Sequence, residues 1–305
     1  MCVMKTKRIH FPIVPPKRTS GKIQVPEHLP ALCGIQIWVG RRNAGKTCAA
    51  CSLIKRYLDA KCVERVILVT PTYQSNVHTF APLNINADED VIEPTKTAVN
   101  DIKLKLQAEV DEWEEHCRKK KLYQKFLKQI EGANDIFSMD PHSLIDYMNS
   151  GFFEGPPKWK RADDSHPTRI YVLCDDVFGS PMLRHGKGME DFTNLCIAHR
   201  HQMCSGNVGY GCSIGLLTQS YAAIGSTPRP VRENCTLLCL FLNSDEKQRE
   251  KIKAELSDIP LGDFDQMWDY ATSKPHGFLC IDMNPPNPEK RFRSQYDEYL
   301  LSSQK

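Results

Sequence analysis

The sequence of 305 residues lacks any long hydrophobic run. Its longest uninterrupted apolar stretch, Leu237 to Leu242, is six residues long. A helix that crosses a bilayer needs about 20 apolar residues, so we expect no membrane span. No apolar segment follows the lysines near residue 5, so we do not expect a secretory leader either.

The sequence also lacks a cysteine framework. None of its thirteen cysteines belongs to a pair of C-x-x-C motifs with zinc spacing. Cys48 and Cys51 have that spacing only locally, on a predicted helix, where we interpret them as small packing residues. Others, such as Cys174 and Cys239, lie inside apolar runs. These features predict reduced thiols in a cytosolic compartment.

A strong overall charge is lacking too, because the net charge of +3 does not by itself indicate a nucleic-acid partner. The distribution of charge is more informative: residues 1–26 contain six Lys or Arg and no carboxylate. We interpret residues 1–30 as a basic N-terminal arm. Such an arm suits contact with DNA or an acidic partner, and a solvated, proline-rich leader is the alternative.

What the sequence does contain is a phosphate-binding motif, because Gly40 to Thr47 reads G-x-x-x-x-G-K-T. The apolar run Ile35–Val39 precedes it and a helical pattern follows. Loop N–H groups and the helix dipole would bind phosphate, Lys46 would reach the β- and γ-phosphates, and Thr47 would bind Mg²⁺. The predicted nucleotide contacts are Gly40, Arg41, Arg42, Asn43, Ala44, Gly45, Lys46, Thr47 and Cys48.

Two acids end a second apolar run, Ile170–Cys174. An apolar strand with Asp175-Asp176 at its tip, downstream of a phosphate loop, is a Walker B pattern. We predict that Asp175 holds Mg²⁺ and that Asp176 orients or deprotonates the attacking water. The alternative is that both acids only cap the next turn.

A third element is the apolar run from Ser213 that ends in Thr218-Gln219. If this strand lies between the other two, Gln219 emerges beside the γ-phosphate and can sense hydrolysis. An ordinary polar residue at a strand end is the alternative. The sequence has no N-K-x-D guanine-recognition motif, which argues against a GTPase. A nucleoside kinase stays open.

The pattern of the whole chain predicts an α/β fold. Near-continuous apolar strands alternate with helices, which indicates a mainly parallel sheet covered on both faces, a three-layer α/β/α arrangement. We expect one ATPase domain over residues 31–305 with a helical insertion at about 95–165. A helix from about Val99 to Ile130 would pack on the core or contact a neighbouring subunit. Residues 73–100 read as irregular, and the chain end reads as a polar helical tail.

Taken together, these motifs resemble those of the poxvirus-type genome-packaging ATPases of nucleocytoplasmic large DNA viruses, within the FtsK/HerA superfamily. The resemblance covers about residues 33–283. It is carried by these segments: Gly40–Thr47, Thr70–Thr72, Val172–Asp176, His199–His201, Leu217–Tyr221 and Arg232–Asn234.

The resemblance implies an additional-strand P-loop core that uses ATP and Mg²⁺. It implies a homo-oligomeric ring that pumps double-stranded DNA into a capsid, with capsid or portal-vertex proteins as partners. It places the protein in the host cytoplasm, at the virus factory, and in the virion. Lys46, Asp175 and Asp176 match the catalytic positions and Gln219 matches the sensor.

The resemblance also suggests that Arg200 or Arg232 acts as a finger across a subunit boundary. A surface salt bridge is the alternative for each arginine. The wider superfamily usually has Asp-Glu where this chain has Asp175-Asp176, so the shorter base must sit closer to the water. A small-molecule or nucleotide kinase and a nucleotide-gated scaffold with little turnover remain the alternative functions.

Overall fold

Eleven strands and nine helices are found in the part of the chain that the structure, a computed structural model, describes: residues 23–132, 140–161, 163–184, 186–222, 227–243, 245–256 and 263–301. Most of the predicted basic arm lies outside these residues. The strands are β1 Ile35–Val39, β2 Arg65–Val69, β3 Val91–Ile92, β4 Ile170–Cys174, β5 Cys204–Ser205, β6 Val208–Gly209, β7 Ser213–Thr218, β8 Cys235–Phe241, β9 Phe278–Asp282, β10 Phe292–Ser294 and β11 Glu298–Tyr299. The helices are α1 Lys46–Asp59, α2 Tyr73–Phe80, α3 Ala87–Asp90, α4 Ala98–Gly132, α5 Pro141–Asn149, α6 Lys187–Ile197, α7 Arg229–Glu233, α8 Glu246–Glu255 and α9 Phe264–Ala271.

Nine of the strands form one sheet in the order β11-β10-β9-β8-β1-β7-β4-β2-β3. The six strands from β8 to β3 pair in parallel, and β9, β10 and β11 add antiparallel pairs at one edge. The α/β class with a mainly parallel sheet is therefore confirmed. Strand β7 separates β1 from β4, so an additional strand stands between the phosphate-loop strand and the strand that ends in two acids.

Each face of the sheet is covered by helices, which gives the predicted three layers. On one face, Trp38 and Leu173 pack with Leu53 of α1. On the other face, Ile37 and Val172 belong to a core that includes residues of α4, α6, α8 and α9. The central strands are continuously apolar because both of their faces are buried.

The long helix α4 has 35 residues, which makes it about 50 Å long. Ile102, Leu106 and Val110 of its first half belong to the main core, as the packing interpretation predicts. Near its far end, Phe126 belongs instead to a separate cluster with Tyr147 and Phe152. The far end of α4 therefore packs in a small hydrophobic cluster that is separate from the main core.

The predicted helical tail is wrong, because residues 284–301 form a 3₁₀ turn and strands β10 and β11. Proline at 285, 286 and 288 cannot lie in the interior of an α-helix, because it lacks the backbone N–H and its ring clashes with the preceding turn. Strand β10 instead pairs with β9, and its Arg293 side chain is buried and donates to the His28 carbonyl at 2.6 Å. The charged residues of this segment suggest exposure to solvent. The pairing of β10 with β9 decides its structure instead.

The prediction of irregular structure over residues 73–100 is also wrong in part. Helices α2 and α3 and strand β3 lie there. Phe80 is buried and its ring stacks on Tyr73, so two aromatic side chains attach a mostly polar helix to the core. None of the described helices is long and apolar enough to cross a membrane.

Candidate active site

The phosphate loop, Gly40 to Thr47, joins the carboxyl end of β1 to α1. Gly40 donates its N–H to the Thr218 carbonyl of β7 at 3.1 Å. A Cβ on Gly40 would lie 2.7 Å from the Cβ of Phe241, so only glycine allows this approach. Gly45 caps α1 with φ of +98°, a conformation that glycine adopts without strain. The fold therefore requires glycine at both positions for different reasons: close packing at Gly40 and a left-handed backbone at Gly45.

Lys46, the first residue of α1, folds its side chain back over the loop. Its Nζ donates to the carbonyl oxygens of Gly40 and Arg41, both at 2.9 Å. Burial lowers the pKa of Lys46, an effect that the negative charges of Asp175 and Asp176 oppose. The ammonium group of Lys46 therefore binds two loop carbonyl oxygens at the position where it would bind phosphate oxygens. It also lies within electrostatic range of both acids.

The phosphate loop and the Walker B strand meet at one contact. Thr47 donates its hydroxyl to Asp175 Oδ2 at 3.1 Å. Asp175 is only 9% exposed, and burial raises the pKa of its carboxyl group. Thr47 and Lys46 oppose that rise and Asp176 adds to it. A hydroxyl next to a carboxylate with few hydrogen bonds is a suitable donor set for Mg²⁺, which prefers oxygen ligands.

Asp176 has a different environment from Asp175, although the two are adjacent. Its side chain is exposed, and its backbone lies in the left-handed region with φ of 55°. Aspartate tolerates this conformation better than most residues. The turn sends the second carboxylate out of the sheet edge while the first stays buried. The two acids, which we call the acid pair, can therefore have separate roles.

Gln219 follows β7 at the same carboxyl edge, next to Thr218, which accepts the loop hydrogen bond from Gly40. Its side chain is exposed. The next residue, Ser220, accepts from Gln248 of α8 at 2.8 Å, and Gln248 also accepts from Asn243. The predicted position of β7 is confirmed, and the segment that carries Gln219 is tied to α8.

Arg200 lies at the other end of the parallel strands, near the residues where β1 and β7 begin. The neighbouring His199 ring contacts the Cys33 carbonyl at 2.9 Å, and Cys33 donates its N–H to Ser213 at the start of β7. The length of β1 puts this end roughly 15–20 Å from the phosphate loop. Arg200 is exposed, so it could act only on the site of another subunit. Its role stays a prediction.

Arg232 has the surroundings of a structural residue. Its side chain is 8% exposed and makes two hydrogen bonds to the Glu255 carboxylate, at 2.8 and 2.9 Å. The guanidinium also donates to the Thr227 carbonyl at 2.5 Å and stacks 5.1 Å from the Tyr221 ring centre. Of the two interpretations of Arg232, these contacts favour the salt bridge over a free finger.

We expect Arg232→Met to lower the free energy of unfolding by about 2–4 kcal/mol, because it leaves a partly buried carboxylate without its partner. The hydrogen bond to Arg232 lowers the pKa of Glu255 from its ordinary 4.5. An acid with a depressed pKa stabilises the fold above its ordinary pKa, and this contribution is lost as the pH falls through the lowered value. Glu255→Gln should therefore lower the free energy of unfolding less at acid pH than at pH 7.

Urea unfolding of both variants at pH 7 and near pH 4 measures this. Arg232→Met should keep the wild-type turnover per folded molecule. A stable Arg232→Met protein with turnover reduced more than about 100-fold would instead make Arg232 a finger.

The remaining loop residues divide by exposure. Arg41, Arg42, Asn43 and Cys48 are exposed, whereas Ala44 is half-buried.

The sequence reasoning missed His276, whose Nδ1 lies 3.3 Å from the Ala44 carbonyl and whose φ is 60°. No motif marks His276 in the sequence, because the loop before β9 meets the phosphate loop only through the fold.

The chain matches no protein-family model and no curated protein. Among solved structures, it is similar to the genome-packaging NTPase B204 of Sulfolobus turreted icosahedral virus 2 with AMPPCP, with 13% identity, a TM-score of 0.42, and 83% of this chain and 94% of that chain covered. It is similar to the DNA-packaging ATPase B204 of Sulfolobus turreted icosahedral virus, with 12% identity, a TM-score of 0.40, and 83% and 94% covered. A third is the pCW3 conjugation coupling protein TcpA with ATPγS, with 14% identity, a TM-score of 0.39, and 88% and 68% covered. These likenesses are remote and assign no role to any residue.

Proposed function

We propose that this protein hydrolyses ATP and uses the energy to move double-stranded DNA into a viral capsid as a homo-oligomeric ring. The host cytoplasm and the virion are where such a motor would work. The geometry of the site supports the hydrolysis step, and the sequence resemblance and a basic surface support the DNA step.

The observation that carries the ATPase proposal is the 3.1 Å contact between Thr47 and Asp175. It joins the loop that would hold the phosphates to the strand that would hold the metal and the base. Lys46 and Asp176 flank this contact, and the negative charge of Asp176 lies close enough to act on the Lys46 ammonium group. One Mg²⁺–triphosphate can therefore meet all four side chains at once, as phosphoryl transfer to water requires.

Each side chain has a distinct task in this proposal. Lys46 leaves the two loop carbonyls and donates to phosphate oxygens, so the bound anion replaces an internal contact. Thr47 and Asp175 would hold Mg²⁺, which supplies charge neutralisation on the phosphates. Exposed Asp176 accepts the proton of the attacking water, and Gln219 orients that water or senses its consumption. Arg200 would reach the site of the next subunit.

A basic face on α4 supports the DNA step. Lys121, Lys125 and Lys128 are exposed and spaced three or four residues apart, so they lie along one side of the helix. None of the three forms an ion pair with another residue that the structure describes, whereas Arg118 and Lys120 pair with Glu115 and Asp164. Unpaired cations in a row suit the phosphate backbone of a duplex.

Two other functions use parts of the same site. A nucleotide kinase would transfer the γ-phosphoryl group to an acceptor instead of water, without any effect of DNA. A nucleotide-gated scaffold would bind ATP with little turnover. The exposed base Asp176 beside the loop favours turnover over the scaffold. A kinase would use the same kind of base on an acceptor hydroxyl, so the effect of DNA separates the motor from the kinase.

The test is steady-state ATP hydrolysis by the full chain with and without linear duplex DNA, over a range of salt concentrations. We expect turnover to rise with duplex, and this stimulation to fall steeply with salt because phosphate contacts release counterions. Lys121→Gln/Lys125→Gln/Lys128→Gln should weaken the stimulation and leave basal hydrolysis unchanged. Lys55→Gln, on the exposed side of α1, is the matched control.

The outcomes separate the three functions. Phosphate release that DNA does not change, together with phosphoryl transfer to a nucleotide acceptor, would make the protein a kinase. Tight ATP binding without phosphate release would make it a scaffold. DNA-stimulated hydrolysis would exclude both.

A further inference from the structure

A cavity of 380 Å³ opens beside the phosphate loop, on the side away from the acid pair. Its walls are the front of the loop, the end of β8, and the segment of residues 272–277 that leads into β9. Strands β8 and β9 lie on one side of β1, and β7 and β4 lie on the other. The cavity and the acid pair therefore flank the loop from opposite sides.

This arrangement gives a bound triphosphate a direction. Its γ-phosphate must face Asp176 and Gln219 if water is to attack it. The rest of the molecule then leaves the loop away from the acid pair, and the cavity is the concave surface there. Its volume lies near the lower end of the range of small-molecule sites, which suits a nucleoside but not a much larger group.

The walls of the cavity have the chemistry of a stacking surface. Leu242 is 61% exposed at the cavity, an apolar side chain that nothing in the described chain covers. Pro275 is another exposed apolar residue there. His276, with its imidazole ring, and Arg42, with its planar guanidinium group, are exposed beside them. Phosphate needs cations but no apolar wall, whereas a flat heteroaromatic ring uses both.

The 272–277 segment is held in place without a ligand. The Thr272 hydroxyl donates to the Trp268 carbonyl at 2.8 Å, and the Gly277 N–H donates to the Lys274 carbonyl at 3.0 Å. His276 lies against the phosphate loop, so a Cβ on Gly45 would meet the His276 Cβ at 3.2 Å. A wall that is fixed before binding loses little entropy when the ligand arrives.

We propose that this cavity binds the base and ribose of the nucleoside triphosphate whose phosphates the loop holds, with Leu242 and His276 as contact surfaces for the base. The inference rests on the proposed nucleotide site and adds the side chains that contact the part of the ligand without phosphate. It makes the 272–277 segment, which no motif marks, part of the ligand site.

The test compares ATP with inorganic tripolyphosphate, which has the phosphates but neither base nor ribose. Both are titrated by calorimetry, with Mg²⁺, into the full-length protein and the variant Leu242→Ser/His276→Asn. Asparagine is chosen because it tolerates the positive φ of residue 276. Leu301→Ser is the matched control, since Leu301 is 68% exposed and lies outside the cavity.

We expect the double variant to bind ATP at least about fivefold more weakly, as loss of base stacking predicts. Its tripolyphosphate affinity should stay that of the wild type, and Leu301→Ser should change neither. Equal weakening of both ligands, or no weakening of ATP, would overturn the base site and leave the phosphate site standing. A wild-type protein that binds neither ligand would overturn the proposed function as well.

Discussion

Asp176→Asn is expected to remove ATP turnover while leaving ATP bound. The amide keeps the size and shape of the side chain but cannot accept a proton, so the loss of general-base catalysis should lower kcat at least about 100-fold. Asparagine is as tolerant of the left-handed backbone at residue 176 as aspartate, so the turn should survive. The measurement is phosphate release beside ATP affinity and the thermal midpoint.

The control for this prediction is Asp146→Asn, which makes the same change on an exposed side chain of α5. It should turn over ATP at the wild-type rate. Normal hydrolysis by a folded Asp176→Asn protein would contradict the base assignment and return the acid pair to a capping role.

The second large effect is expected for Lys46→Ala. The lysine supplies a charged donor to the phosphates, and such a hydrogen bond contributes about 1.5–3 kcal/mol, so ATP should bind about 10- to 150-fold more weakly. Turnover should fall further, because the ammonium group also stabilises charge that develops in the transition state. Titration calorimetry and phosphate release give the two numbers.

Lys46→Ala is expected to stay folded. Burial lowers the pKa of Lys46, which means that the nucleotide-free fold disfavours its charged form. Lys55→Ala removes a lysine from the same helix, one that pairs with Asp59 at the surface, and should bind ATP as the wild type does. Equal ATP affinities of Lys46→Ala and Lys55→Ala would show that the loop does not hold the phosphates.

The central sheet could be predicted from the sequence because its strands are buried on both faces. Such strands are apolar at every position, as β4 and β7 are, and runs of this kind stand out in a single chain. The order of β1, β7 and β4 could only be supposed, since it depends on pairings between residues far apart in the chain, such as Ile35 with Ile214 and Tyr171 with Ser213. Strand β10 could not be predicted, because a buried Arg293 gives it a polar pattern.

The residues of the site also differ in whether the local sequence pattern is enough to identify them. Lys46, Thr47 and Asp175 could be found because the chemistry of a phosphate loop requires fixed residue types at fixed spacing. Arg232 and His276 could not be interpreted in this way. The difference between a finger and a salt bridge depends on Glu255, 23 residues later, and His276 meets the phosphate loop across 232 residues of sequence.

The two margins of the nine-stranded sheet limit how copies of this protein can join. Strands β3 and β11, the outermost on each side, have two residues each. A margin that short offers too few free backbone groups to template a strand from another molecule. Subunits of the proposed ring would therefore join through side-chain surfaces, so that a change of nucleotide could tilt one subunit against the next without breaking a continuous ladder.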